Sequence, residues 1–153
     1  MLDNPCVPVY YALMRVLGID YGDARIGLAL SDELGMFASP LPTYQAVSMR
    51  KSADYIAALA KEKEAGCIVI GLPLNMDGTK GERALKTEAF GRVVAKITNI
   101  EVVYKDERLS TVAAERSLTE AGLRREKQKD LVDAVAAVII LQGYLDKIKH
   151  SNK

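Results

Sequence analysis

The chain has 153 residues, of which 49% are hydrophobic and 27% are charged. This length and composition are typical of one globular domain with a substantial core. No apolar run approaches the ~18 residues of a membrane helix, and this argues against a membrane-spanning protein. Because the net charge is only +1, any nucleic-acid binding would require a local basic patch rather than a basic chain.

Histidine and cysteine usage narrows the possible chemistry. The single histidine, His150, lies close to the C-terminus, where chains are often frayed. Catalytic triads, histidine-rich zinc sites and histidine general bases are therefore disfavoured, and catalysis would depend on carboxylates, lysines or a bound metal. The two cysteines, Cys6 and Cys67, have neither the pattern of a disulfide framework nor a zinc-binding spacing, which favours the cytoplasm.

The chain opens with an extension and a predicted β-hairpin. Residues 1–13 contain two prolines and no periodicity, so we predict a flexible extension before a single domain over residues 14–150. The stretch Met14–Asp32 contains two apolar runs joined by the turn YGDAR, which is typical of a hairpin. The first strand stops at Asp20, which is unusual because strands are poor in aspartate.

The next segments predict a strand, a helix and a second strand. Gly35–Tyr44 is a third strand whose prolines confine it to an edge of the sheet or a strand end. Met49–Ala65 has the apolar spacing of an amphipathic helix, with Gly66 as the residue that follows its C-cap. Cys67–Leu72 is a continuous apolar run, as in a strand buried on both faces of a parallel sheet.

A second helix and a last strand follow. Glu82–Ile97 predicts the helix, and Ile100–Tyr104 predicts the strand. We expect the apolar side of this helix to consist of Ala84, Leu85, Ala89, Val93, Val94 and Ile97.

Two further helices complete the pattern. Ser110 or Thr111 is a candidate N-cap for a helix to about Ala121. Gly122–Gln128 is a polar, basic connection. The last helix is predicted from about Lys129 to Ile148, and its centre is apolar on nearly all sides, which indicates deep packing.

The order of elements, β-β-β-α-β-α-β-α-α, predicts an α/β fold with a five-stranded mixed sheet flanked by helices. Right-handed crossovers would bring the ends of the first, fourth and fifth strands to one edge of the sheet. This is the edge at which α/β sheets bind ligands.

Carboxylates stand at three positions that this topology would bring together. Asp20 ends the first strand, Asp106 and Glu107 follow the last strand, and Asp130 and Asp133 belong to the first turns of the last helix. Alone, each has an ordinary explanation as a turn residue, a solvated strand end or a partner of a helix N-terminus. Clustered carboxylates repel one another unless a cation is bound. Mg²⁺ prefers such oxygen ligands, and pairs of such ions cleave phosphodiesters.

Basic residues near these carboxylates are candidates for contacts with phosphate groups. The candidates are Arg25, Arg108, Arg124, Arg125, Lys127 and Lys129. The alternative is that the basic run from 124 to 129 is a solvated connection. The loop Asn75–Gly81 is rich in glycine, but it lacks the P-loop pattern and is interpreted as a surface loop.

Four segments resemble one known family, the YqgF family, which is also called the RuvX family. They are GIDYGDARIGLALSD, GLPLNMDGT, DERLST and DAVAAVIILQGYL, and the resemblance runs from about Met14 to Leu145. It implies a ribonuclease H-like fold and a nuclease that depends on Mg²⁺ or Mn²⁺ through a two-metal mechanism. The family's catalytic and metal-binding acids correspond to Asp20, Glu107 and Asp133.

The resemblance implies a hydrolase that processes the 5′ end of pre-16S ribosomal RNA during ribosome biogenesis, as a monomer or homodimer with nucleic acid as its partner. The alternative from the same site is a Holliday junction resolvase in DNA recombination and repair. Two other hypotheses stay open: an actin-like ATPase or sugar kinase, since GIDYG is similar to a phosphate loop of those proteins, and a non-catalytic nucleic-acid-binding module.

Overall fold

The structure is a computed structural model that describes residues 14–108 and 125–151, with side chains described over 14–108 and 133–149. The strands are β1 (Arg15–Asp20), β2 (Arg25–Ser31), β3 (Ala38–Gln45), β4 (Ala65–Leu72) and β5 (Glu101–Asp106), and the helices are α1 (Met49–Glu62), α2 (Glu82–Thr98) and α3 (Arg125–Ser151). The predicted extension over residues 1–13 and the predicted helix ending near Ala121 lie outside the described residues.

The strands form one five-stranded sheet in the order β3-β2-β1-β4-β5. Strand β2 is antiparallel to β1 and β3, whereas β4 is parallel to both β1 and β5. The predicted mixed sheet is thus confirmed, as is the edge position of β3, which contains Pro40 and Pro42. Strand β1 lies at the centre, so its C-terminal end has neighbours on both sides.

Helices cover both faces of the sheet. Leu17 and Ile19 of β1 pack into a core with residues of α1 and α2, whereas Val16 packs into a second core with residues of α3. Because side chains alternate along a strand, Asp20 points to the face covered by α3. The predicted burial of β4 on both faces is confirmed, since its residues Cys67–Leu72 are all buried.

The predicted C-terminal end of α1 is wrong. The Ser48 side chain caps the start of this helix by accepting a 3.1 Å hydrogen bond from the Lys51 N–H. The helix ends at Glu62, and the left-handed residue that reverses the chain is Glu64, with φ of 56°. Ala65 is buried in the core as the first residue of β4, so the chain leaves the helix earlier than Gly66.

The predicted apolar side of α2 is partly wrong. Leu85 is 56% exposed, whereas Val93 and Ile97 pack against the core as predicted. The buried residues of the helix are Ala84, Thr87, Phe90, Gly91 and Val94. The Thr87 hydroxyl donates a 2.8 Å hydrogen bond to the Arg83 carbonyl. This local bond satisfies a polar group that would otherwise be costly to bury.

Helix α3 begins earlier than predicted. It starts at Arg125, so Arg125–Gln128 belongs to the helix instead of a connection. Asp133 consequently lies in the third turn of α3, too far from the end to serve the N-terminal dipole. None of the helices in the described ranges is long and apolar enough to span a membrane.

Candidate active site

Asp20 lies at the end of the central strand, on the face covered by α3. It is the last residue of β1 and pairs in register with Gly27 of β2. Burial and the nearby Asp133 carboxylate raise the pKa of Asp20 to about 6, an effect that Arg83 partly offsets. A carboxylate with this environment is costly to ionise without a cation.

Glu107 directly follows β5 and lies at the same edge of the sheet as Asp20. Its backbone N–H donates to the Leu72 carbonyl at 3.3 Å, and its side chain is only 8% exposed. Burial, and next the Asp20 carboxylate, raise the pKa of Glu107 to about 8, against the opposing effect of Arg83. Its Oε2 atom is buried and has no hydrogen-bond partner among the described residues, which is rare and calls for a physical explanation.

Asp133 reaches the site from α3. Its Oδ2 atom accepts a 2.9 Å hydrogen bond from Arg25 Nε, and both side chains are largely buried. Gly27 allows this approach, because a Cβ at that position would overlap the Asp133 backbone. The helix therefore rests directly on β2 beside the end of β1.

The three predicted acids are brought to one edge, but they are not a preassembled metal cluster. The Asp20 carboxylate interacts electrostatically with Asp133 and with Glu107. Within the described ranges, no group of three or more acidic, histidine or cysteine side chains is arranged to hold a metal ion.

Two other acids near this edge, Asp106 and Asp77, differ from these three because their carboxylates accept hydrogen bonds from nearby residues of the chain. Asp106 is bound by Arg108, with Nη2 to Oδ2 at 2.7 Å, and this hydrogen bonding lowers the pKa of Asp106. Asp77 accepts hydrogen bonds from the Thr79 N–H and hydroxyl within the loop after β4. Both carboxylates therefore have structural partners.

Two of the predicted phosphate-binding residues form ion pairs with acidic residues of this chain. Arg25 binds Asp133, and Arg108 binds Asp106 while also donating to the Met76 carbonyl at 3.0 Å. Of the remaining candidates, Arg124 lies outside the described residues. Arg125, Lys127 and Lys129 lie in the first turns of α3, and their side chains are outside the described part.

A protein-family model described as "RuvX: Holliday junction resolvase" matches residues 14–147, which include the three acids. The chain belongs to the RuvX family. RuvX-family membership is supported by relatives such as one from Agathobacter rectalis, which is 45% identical over 141 residues and covers 90% of this chain and 99% of its own. Another relative, from Clostridioides difficile, is 49% identical over 132 residues, and the match covers 86% of this chain and 94% of the relative. Both are named "Putative pre-16S rRNA nuclease".

Solved structures confirm the predicted ribonuclease H-like fold of this RuvX-family chain. RuvC from Thermus thermophilus, in complex with a Holliday junction, matches with a TM-score of 0.53 and 17% identity over 88% of this chain and 94% of its own. The fowlpox virus resolvase, also in complex with Holliday junction DNA, matches with a TM-score of 0.54 and 9% identity. This match covers 88% of this chain and 99% of the resolvase chain. At these identities the similarity concerns the fold alone. Family and relatives together place the chain among nucleases.

Arg83 is a residue at this site that the sequence did not single out. It lies in the first turn of α2 and donates a 3.4 Å hydrogen bond to the Tyr21 carbonyl, next to Asp20. Its charge lowers the pKa of both Asp20 and Glu107. The GERA sequence is an ordinary helix start, so only the docking of α2 against the hairpin turn reveals this position.

Proposed function

We propose that this RuvX-family protein is a divalent-metal-dependent nuclease that processes the 5′ end of pre-16S ribosomal RNA. The observation that carries the proposal is the buried Glu107 carboxylate beside Asp20, with one oxygen that lacks a hydrogen-bond partner in the described part. The names of the relatives supply the substrate. The proposed location is the cytoplasm, where a bacterial pre-ribosomal RNA is found.

The donor set fits a hard divalent cation. All three acids offer carboxylate oxygens, the ligands that Mg²⁺ and Mn²⁺ prefer. A cation would fill the unmet bonding capacity of Glu107 Oε2. It would also offset both burial and the repulsion between carboxylates, which together raise the pKa of Asp20 and of Glu107. Because the acids are not preassembled, we expect their side chains to rotate when the ion binds.

The three acids would have distinct parts in holding the ion. Asp20 is the acid that interacts electrostatically with both of the others, so it would contribute the shared ligand. Glu107 would contribute from β5 and Asp133 from α3, with Arg25 orienting the Asp133 carboxylate through its Nε–H, as groups bonded to metal ligands commonly do. Metal ions in a two-metal carboxylate site supply an activated water and stabilise the leaving oxygen of a phosphodiester.

The first test replaces Asp20 with Asn. Asp20→Asn should lower cleavage of a pre-16S leader RNA by about a hundredfold to a thousandfold, the scale of losing a group that stabilises transition-state charge. Folding should be retained, because the substitution is nearly isosteric and removes a repulsive charge. The measurement is the initial cleavage rate with Mg²⁺ and with Mn²⁺, together with a thermal melt.

Asp23→Asn is the matched control, since Asp23 lies in the turn that follows Asp20, is exposed, and among the described residues pairs with Lys86 at 3.3 Å. It should cleave like the wild type. Undiminished turnover by Asp20→Asn would overturn the proposal.

The second candidate function is resolution of Holliday junctions, which the description of the family favours. The same carboxylates would serve it. Resolvases usually act as symmetric dimers that place two sites across a junction. Cleavage of a four-way junction but not of the leader RNA by a dimeric protein would favour this function over RNA processing.

A further inference from the structure

Among the described residues Arg83 has no acidic partner, and in this it differs from the other described arginines of this edge. Arg25 is paired with Asp133, and Arg108 is paired with Asp106. Arg83 is exposed, and the one described hydrogen bond of its side chain is the 3.4 Å contact from Nη2 to the Tyr21 carbonyl. A neutral acceptor at that distance satisfies little of the bonding capacity of a guanidinium, which has five N–H donors.

The backbone around Arg83 is fixed relative to the acids. The Tyr21 ring stacks on Phe90 of α2, with centroids 4.1 Å apart and planes 18° from parallel. Phe90 lies in the third turn of α2 and is fully buried, so this contact holds the helix against the residue that follows Asp20. The hydrogen bond from Arg83 to Tyr21 then keeps its guanidinium next to the strand end.

The position of Arg83 fits a phosphate group better than a purely internal role. The contact with the Tyr21 carbonyl places the Arg83 guanidinium beside the residue that follows Asp20, yet Arg83 forms no ion pair with Asp20 or Glu107 in the described structure. An anion lying against those acids and their cation would therefore be within the field of Arg83. A planar guanidinium binds two oxygens of one phosphate at once, which a lysine does not do.

We propose that Arg83 binds a backbone phosphate of the nucleic-acid substrate at or next to the bond that is cleaved. This inference rests on the proposed nuclease function and adds to it a substrate-binding residue. The alternative is that Arg83 only moderates the charge of the carboxylates. The two roles differ in one respect, because only a phosphate contact adds to the salt dependence of nucleic-acid binding.

The test measures binding of fluorescently labelled pre-16S leader RNA to the full-length protein in EDTA, where no cleavage occurs, at several salt concentrations. Arg83→Gln should weaken binding about tenfold, the scale of one hydrogen-bonded charge, and should reduce the slope of log affinity against log salt by about one. Arg83→Lys should restore the slope but only part of the affinity. With Mg²⁺ present, Arg83→Gln should raise KM as well as lower kcat.

Arg92→Gln is the matched control. Arg92 is exposed on the same helix, about 13 Å further along its axis, and its charge acts on Tyr104 instead of the acids. The control changes net charge equally and should keep both the affinity and the salt slope of the wild type.

If Arg83→Gln has the same RNA affinity and the same salt slope as Arg92→Gln, the inference is overturned. This holds even if Arg83→Gln cleaves the RNA more slowly, because Arg83 would then act only on the carboxylates. If the wild type binds the RNA but does not cleave it, the proposed function fails while the binding comparison still decides the part played by Arg83. A wild type that binds neither the RNA nor a four-way junction would overturn both.

Discussion

Glu107 and Asp20 are the two acids whose ionisation the fold disturbs most clearly. Burial is the larger cause for both, and their mutual repulsion adds to it for Glu107. With a pKa of about 8, Glu107 holds its proton at neutral pH when no cation is bound. This residue is therefore expected to couple the stability of the protein to pH.

The free energy of unfolding should fall as pH rises from about 4.5 to about 8 in EDTA. In this window the folded protein keeps a proton on Glu107 that the unfolded chain, with an ordinary pKa of 4.5, has already released. Stability is thus highest below the window and lowest above it. Glu107→Gln should flatten this dependence and stabilise the protein at pH 8 by a few kcal/mol. Urea denaturation at a series of pH values measures both effects.

Glu101→Gln provides the control, since Glu101 is an exposed acid at the start of the same strand. It should leave the pH dependence of the wild type in place. A Glu107→Gln variant whose stability still falls with pH as in the wild type would contradict this explanation.

At the scale of the elements, glycines determine how closely α3 and the Glu107 side chain approach the sheet. A Cβ on Gly18 would lie 2.7 Å from Leu141 Cβ, and one on Gly27 would overlap the Asp133 backbone. A Cβ on Gly71 would overlap the Glu107 carboxylate and the tip of Ile140. The acids converge because the strands beneath them have no side chains at these points.

Gly71→Ala should therefore displace the Glu107 carboxylate. We expect a loss of about 1–3 kcal/mol of stability, as for overpacking of a core, and at least a tenfold weaker affinity for Mn²⁺, as when the support of a metal ligand is removed. Denaturation and isothermal titration with Mn²⁺ measure the two effects.

Gly143→Ala is the comparison variant. Gly143 is inside α3, and a Cβ at this position would meet, among the described residues, the flexible end of Lys105, at 3.0 Å. Because alanine favours helix over glycine, this variant should be as stable as the wild type or more so and should bind Mn²⁺ normally. Equal Mn²⁺ affinity in both variants would argue against the role of Gly71.

Local patterns predicted most elements, and they failed where tertiary contacts decide the outcome. The strand at residues 67–72 was predicted from a continuous apolar run, and the strand at residues 16–20 from a largely apolar run that stops at Asp20. The exposed Leu85 was misplaced because the buried stripe of α2 includes Thr87 and Gly91, which no apolar pattern reveals. Gly91 is on that stripe because a side chain there would overlap the Tyr104 hydroxyl.

At the scale of the whole molecule, the topology explains why acids that are distant in sequence meet. The order β3-β2-β1-β4-β5 places β1 at the centre with β4 and β5 parallel to it. The order of elements predicted this convergence for Asp20 and Glu107. The place of Arg83 was not predictable in the same way, because it depends on the stacking of Tyr21 on Phe90.

The molecule has a net charge of only +1, and two of its arginines at the candidate site are paired with acids. Arg25 and Arg108 neutralise acids of the same edge and so contribute less to an overall basic surface than their number implies. Attraction for a polyanion would then depend on Arg83 and on the basic residues 125, 127 and 129 at the start of α3. The binding role of these last residues stays a prediction.

The central claim is that Asp20, Glu107 and Asp133 together hold divalent ions, and a crystal soaked in Mn²⁺ tests it most directly. Anomalous scattering should show Mn²⁺ between these three carboxylates, and the same soak of Asp20→Asn crystals should show that density weakened or lost. Mn²⁺ bound only at other positions, or no Mn²⁺ at this edge at a concentration that supports cleavage, would contradict the claim.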